Sequence, residues 1–275
     1  MELAIRCPVC GRPLICGEKT WHCGAGHSFD VARQGYVNLL TVSQKHSRNP
    51  GDTRDMVAAR RAFLDQGFYA PVAETLCTIL EEAIPPDGTV LDAGCGEGYY
   101  LSQVHSCLPE ARLCGLDISR DAVRYAAVRC HDACWITGTA ARLPFFDRSF
   151  DAVLSMFALT AAEEFARVLR PGGIFVQVLA GRAHLSGLKT LIYPTLTEKA
   201  PIVPAVYPGF SLQAARELTF PLELSSNAQV MQLLAMTPHF WRISREGAQR
   251  AAEAPSLRDE AQILFHIYRR ESAEE

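Results

Sequence analysis

The segment Val90-Leu91-Asp92-Ala93-Gly94-Cys95-Gly96-Glu97-Gly98-Tyr99-Tyr100 constrains this chain more than any other. An apolar strand runs directly into Gly-x-Gly-x-Gly, where glycines permit a sharp turn and let a ligand approach the backbone. Further on, Gly115-Leu116-Asp117 places an acid at the end of the next apolar run. A carboxylate there can accept both ribose hydroxyls of a nucleoside cofactor. The surrounding pattern alternates strand and helix. Strands are predicted at 89–92, 112–117, 134–137, 150–155 and 174–179, with helices at 119–129 and 161–169 between them. Glu260–Arg269 reads as a last strand, and residues 181–235 are less regular. Such alternation predicts an α/β fold with a doubly wound, mostly parallel sheet.

The spacing also bears on the ligand. A nicotinamide cofactor prefers Gly-x-Gly-x-x-Gly, with its pyrophosphate on a helix N-terminus. Here Glu97 sits inside the loop, where an acid repels pyrophosphate but tolerates a sulfonium or an ammonium group. That favours S-adenosylmethionine, cradled by Asp92, Gly94, Cys95, Gly96, Glu97, Gly98 and Leu101, with Asp117 and Ile118 at the ribose. The competing reading is an ordinary tight strand-to-helix turn.

Residues 1–40 look like a separate unit. Four of the ten cysteines fall within it: Cys7, Cys10, Cys16 and Cys23. Cys7-Pro8-Val9-Cys10, then Cys23 and His27, has the spacing of a structural zinc site with all four positions filled by protein. Cys16 and His22 compete as ligands, and a reduced thiol cluster without metal is the alternative. A segment this short buries too little core to fold without such a staple. Residues 41–83 read as a linker with a Pro50-Gly51 turn and a helical segment in two pieces. Met56, Ala59 and Phe63 share one helical face, and Val72, Leu76 and Leu80 another. Residues 84–275 form the third division. The remaining cysteines read as buried small hydrophobes.

Charge is distributed unevenly. Residues 1–61 hold nine Lys/Arg against five Asp/Glu, a net of +4, while the rest of the chain carries a net of −7. A basic front on an acidic body points to a polyanion contact, with Arg48, Arg54, Arg60 and Arg61 as its candidates. The alternatives for these arginines are a solvated helix face or salt bridges to the acidic body. No run of about 18 apolar residues is present to cross a membrane. The start of the chain lacks the pattern of a signal peptide, so the expected compartment is the cytoplasm.

After the fourth strand, Ser155-Met156-Phe157-Ala158 reaches the carboxyl edge of the sheet, where ligands bind in such folds. Phe157 reads either as a stacking partner for the substrate or as a core aromatic.

Taken together, several segments resemble one family. They are the Cys/His set, Phe29-Asp30, Gly35-Tyr36-Val37-Asn38-Leu39-Leu40, Pro50-Gly51-Asp52 and Ala59-Arg60-Arg61-Ala62-Phe63-Leu64. Leu91-Asp92, Leu188, Leu191-Ile192-Tyr193 and Met236-Thr237-Pro238 follow. The whole is similar to the bacterial large-subunit ribosomal RNA guanine-N1 methyltransferases, over nearly the entire chain. The resemblance implies a zinc-binding domain that contacts RNA, a class I methyltransferase domain and a homodimer whose zinc domains flank an RNA cleft. By matching positions it implies that Cys7, Cys10, Cys23 and His27 hold zinc, and that Tyr69, Tyr100 and His184 touch the cofactor. The family follows its fourth strand with an aromatic-Ala-Pro segment, whereas this chain has Phe157-Ala158-Leu159. For methyl transfer to guanine N1 a proton must leave, and Asp151 and His184 are the candidate acceptors. Two other functions are open at this point: methylation of a small molecule, and RNA binding without catalysis.

Overall fold

The computed structural model describes residues 3–45, 50–196, 200 and 202–272. Arg48 lies outside them. Three short strands, β1 (Leu14–Cys16), β2 (Thr20–Cys23) and β3 (Ser28–Asp30), form an antiparallel sheet of their own. The next strand, β4 (Tyr36–Asn38), does not join them. It pairs in parallel with the edge of a second, eight-stranded sheet, so the segment expected to stand alone is shared between two sheets.

Two helices follow. In α1 (Arg54–Leu64), Thr53 caps the start by accepting the amide of Met56, and Val57, Phe63 and Leu64 are buried. In α2 (Ala70–Ala83), Pro71 occupies the first turn, where its missing N–H costs nothing. The large sheet then builds through β5 (Thr89–Ala93), α3 (Tyr99–Cys107), β6 (Arg112–Asp117), α4 (Arg120–Arg129), β7 (Ala133–Thr137), β8 (Phe150–Met156), α5 (Ala162–Val168) and β9 (Leu169–Ala180). It ends with α6 (Ser186–Ile192), β10 (Phe210–Leu224), α7 (Asn227–Ala235), α8 (Arg245–Glu253) and β11 (Leu257–Arg270). The strand order is β10-β11-β9-β8-β5-β6-β7-β4. All neighbours pair in parallel except β9–β11 and β11–β10.

Alternate side chains of the central strands feed two cores, because successive residues of a strand face opposite sides. Val90 and Leu154 belong to the core under α2, α3 and α7, whereas Leu91 and Val153 belong to the other. The zinc-site unit packs on that second face. Ile5, Cys7, Leu14, Trp21 and Cys23 share its core with Phe145 and Phe150, and Arg6 donates its amide to Pro144 O at 2.9 Å.

Residues 181–235 prove more regular than their pattern predicts. The strand β10 runs for 15 residues although Ala214-Ala215-Arg216-Glu217 is not strand-like and Pro221 lies within it. It is the edge strand, bonded only to β11, and an edge tolerates a proline that a central strand would not.

Candidate active site and metal centre

At the carboxyl end of β5 the chain enters the glycine loop. Gly94 has φ +96°, and a Cβ there would stand 2.6 Å from that of Ala158. Gly98 has φ +83° and begins α3, where a Cβ would meet Trp135 and Ala126 at 2.8 and 2.9 Å. The two glycines let the loop lie flat against the sheet and let α3 close onto α4. Asp117 braces the loop: its carboxylate accepts the amide of Gly96 at 2.9 Å and that of Ser119 at 2.7 Å. Lone pairs beyond these two bonds are available for ribose hydroxyls.

Asp92, at the end of β5, is fully buried, and neither carboxylate oxygen has a hydrogen-bond partner among the described residues. Burial, and then repulsion from Asp117, push it up to about 8. Burial raises Asp117 as well. Two acids at one loop, Asp92 buried beneath it and Asp117 half-buried at the cleft, suit a cationic ligand, which favours the ionised form of each. A nucleotide pyrophosphate would do the opposite. The donor set therefore fits S-adenosylmethionine.

Glu97 does not act as the sequence reading expected. Its carboxylate is buried and held by the Arg129 guanidinium of α4 at 2.6 Å, so its charge is neutralised before any sulfonium arrives. Among the described residues, the acids at the loop without a cationic partner are Asp92 and Asp117, whose ionised forms a bound cation would favour.

The loop floors a cleft of about 1210 Å³. Drug-sized sites typically span about 300–1,000 Å³, so this one has room for a cofactor together with a base. Of the expected cofactor residues, Gly94, Cys95, Gly96, Glu97, Tyr100, Asp117, Ile118, Tyr69 and His184 line it. Gly98 and Leu101 do not: Gly98 turns against Trp135 and Ala126, and Leu101 is fully buried in the core of α3. Asp92 lies beneath the loop and does not line the cleft either.

Phe157 lies in the cleft wall and not in the core. It is 40% exposed and adopts φ +55°, a conformation that β-carbon-bearing residues rarely take. Its amide bonds to Val178 O at 2.9 Å, and the Ser155 hydroxyl bonds to Ala158 O at 3.3 Å, which together hold the turn. Its ring stands 6.4 Å from that of Tyr69 and 6.2 Å from that of Tyr100.

His184 is a donor here. Its Nδ1 accepts the backbone amide of Gln262 at 3.2 Å, which leaves the proton of the neutral ring on Nε2, 3.3 Å from the Tyr69 hydroxyl. Burial, followed by Lys189 and His239, pushes it down to about 4, so the ring is neutral at physiological pH. Held this way, His184 is unsuited to take a proton from guanine. Asp151 is excluded by position. It accepts the Thr89 amide at 2.8 Å and pairs with Arg170 at the start of β8. Met156, which does line the cleft, lies at the far end of the same strand, roughly 16 Å away.

The candidate RNA arginines separate. Arg60 pairs with Asp52, reaches Met236 O at 3.5 Å and lines the cleft against Gly96. Arg61 turns to Asp65 at 3.4 Å and stacks over the Tyr125 ring at 5.6 Å. Arg54 is exposed at the start of α1. Sequence reasoning also missed Gly51 and Asp52 as part of the site. Gly51 packs against Ile118 and Ser119, and the Ser119 hydroxyl donates to Asp52 O at 2.8 Å, so the linker forms one wall of the cleft.

In the small unit, one ligand atom from each of Cys7, Cys10, Cys23 and His27 lies within 4.8 Å of all the others. Cys10 and Cys23 sulfurs are 3.6 Å apart, and Nδ1 of His27 is 3.4 Å from Cys23 Sγ and 3.7 Å from Cys7 Sγ. Tetrahedral zinc with Zn–S of about 2.3 Å and Zn–N of about 2.0–2.1 Å requires S···S of roughly 3.8 Å and S···N of roughly 3.6 Å. The four side chains fit the ion. Cys16 and His22, the competing ligands, do not belong to this cluster.

Residues 5–48 match the zinc-ribbon family model described as RlmA, N-terminal, and residues 90–173 match the methyltransferase domain. The chain is 36% identical over 264 residues to the 23S rRNA (guanine(748)-N(1))-methyltransferase of Streptomyces fradiae, covering 93% of this chain and 92% of that one. It is 30% identical over 261 residues to YxjB of Bacillus subtilis (strain 168), which carries the guanine-N(1) methyltransferase designation; 88% of each chain is covered. Among solved structures, a type II methyltransferase from Anaeromyxobacter dehalogenans superposes with a TM-score of 0.51 at 20% identity, over 71% of this chain and 95% of that one, and shares the fold. With relatives 36% and 30% identical matched over most of both chains, this chain belongs to the 23S rRNA guanine-N1 methyltransferase family.

Proposed function

We propose that this protein transfers the methyl group of S-adenosylmethionine to N1 of an unpaired guanine in a hairpin of 23S rRNA. The observation that carries this reading is the match to the Streptomyces fradiae enzyme across both the ribbon and the cleft. The cofactor, when bound, supplies an electrophilic methyl group for in-line displacement by N1. The protein's part is to orient the base and keep water out. N1 lies on the Watson–Crick edge, so the guanine must leave its pair before it enters. The ring of Phe157, with Tyr69 and Tyr100 behind it, offers an apolar face for the base. The neutral His184 Nε2–H holds the Tyr69 hydroxyl as an acceptor, which leaves the phenol proton for a carbonyl or carboxylate in the cleft.

In this reading residues 1–40 carry the zinc and part of the RNA contact, 41–83 bridge the two units, and 84–275 bind the cofactor. The active species is a homodimer acting in the cytoplasm. No helix of the described residues is long and apolar enough to cross a membrane. The test is to map N1-methylguanine in 23S rRNA from cells with and without the gene, since the modification stops reverse transcriptase. One stop that disappears with the gene identifies the target. An unchanged map together with methylation of a small molecule by the purified protein would replace this reading.

A further inference from the structure

The rim of the cleft carries an aromatic group that neither the cofactor nor the glycine loop explains. After α7, Met236-Thr237-Pro238 leads into a short 3-10 turn, Pro238–Trp241. The turn is anchored from below: the buried Thr237 hydroxyl donates to Leu234 O at 2.8 Å, and Arg60 reaches Met236 O. On this rigid base stands Trp241, 62% exposed, although its large apolar surface would ordinarily be buried. Phe240 meets it edge to face, with ring centroids 5.2 Å apart. The indole N–H is directed to Met56 Sδ at 3.3 Å, so the ring offers its surroundings a face, not a donor. Arg242 is exposed beside it and also lines the cleft. A flat ring beside a guanidinium group at the mouth of a base-sized cleft has the composition of a site for single-stranded nucleic acid.

We propose that Trp241 is a stacking platform for an unpaired RNA base next to the target guanine, with Arg242 on a flanking phosphate. This rests on the ribosomal RNA reading above and adds the residues that hold the strand once the guanine has left its pair. Because the turn is fixed before RNA arrives, little ordering cost opposes the contact.

The chain has three tryptophans, and Trp21 and Trp135 are buried, at 9% and 2% exposure. Emission from Trp241 therefore dominates any response to a surface ligand. The probe is a synthetic RNA hairpin spanning guanine 748 of 23S rRNA, titrated into the zinc-loaded full chain at several salt concentrations. Quenching is followed by fluorescence, and affinity by filter binding. Wild-type emission should be quenched as the hairpin binds. Trp241→Ala should lose about tenfold in affinity with an unchanged salt slope, and Trp241→Phe should recover most of the loss. Arg242→Ala should instead flatten the log–log salt slope by about one. Zinc content and S-adenosylhomocysteine binding report whether each variant is folded. Should Trp241→Ala not fold, wild-type quenching and Trp241→Phe still decide. A hairpin that binds without quenching, or binds Trp241→Ala as tightly as wild type, overturns the proposal. So does self-association that disappears in Trp241→Ala while RNA affinity stays, since that assigns the ring to a protein contact. A wild type with no affinity for the hairpin overturns the ribosomal RNA reading itself.

Discussion

The Arg129 guanidinium stands 2.6 Å from the Glu97 carboxylate, closing an ion pair inside the loop that cradles the cofactor. Arg129 also reaches Asp65 at 2.7 Å, just beyond α1, so one side chain ties α4, the glycine loop and the bridging segment together. Glu97 thereby serves the shape of the loop, with its charge cancelled.

Arg129→Ala leaves Glu97 buried without a partner. Breaking such a pair costs about 3–5 kcal/mol. The side chains are only 15% and 1% exposed, so solvent screens little of this. Urea unfolding should show the loss, and adding Glu97→Gln should restore part of it. An Arg129→Ala midpoint equal to wild type would mean that the pair does not support the loop.

The pH dependence of stability should carry the mark of Asp92. Its folded-state value of about 8 lies above the unfolded value of about 3.9. Below about pH 4 the group is neutral in both states and costs nothing. Between about pH 4 and 8 the unfolded chain ionises first, so stability without cofactor falls as pH rises. Asp92→Asn should flatten that part of the curve and raise the melting temperature at pH 8. Thermal melts across this range check it, and identical slopes in variant and wild type would count against a buried neutral acid.

Removing zinc should unfold the ribbon and loosen its face of the sheet. Cys7→Ser and Cys23→Ser should lose the ion, whereas Cys16→Ser should retain one per chain. Elemental analysis reads this directly. Loss of metal in Cys16→Ser would put the ligand set in error.

The two adjacent arginines of α1 should behave differently. Arg60 lines the cleft, where a Cβ on Gly96 would stand 3.5 Å from its guanidinium, whereas Arg61 faces Asp65 and Tyr125. Hydrogen bonds to charged groups are worth about 1.5–3 kcal/mol, so Arg60→Ala should weaken S-adenosylhomocysteine by roughly ten- to a hundredfold. Arg61→Ala should leave it unchanged. Titration calorimetry separates them, and equal affinities for the two variants would remove Arg60 from the cofactor site.

The central strands, the glycine loop, Asp117 and the four metal ligands were legible in the sequence because each follows from local rules. Strand periodicity, the φ > 0 demand of a tight turn and ligand spacing within one short segment all act over a short stretch of chain. The edge strand β10 was not legible, because its hydrogen bonds come from β11, which follows only after α7 and α8. The roles within the site were equally out of reach. The chemistry of Glu97 depends on Arg129, 32 residues on, and the tautomer of His184 on a backbone amide 78 residues away. Arg60 and Arg61 are neighbours of the same type, and only the packing of α1 against α7 and α4 sends one into the cleft and the other to Tyr125. The sequence determined which groups are present and which turns they can form. Tertiary structure decided their charge, their tautomer and what they face, because burial and long-range partners set all three.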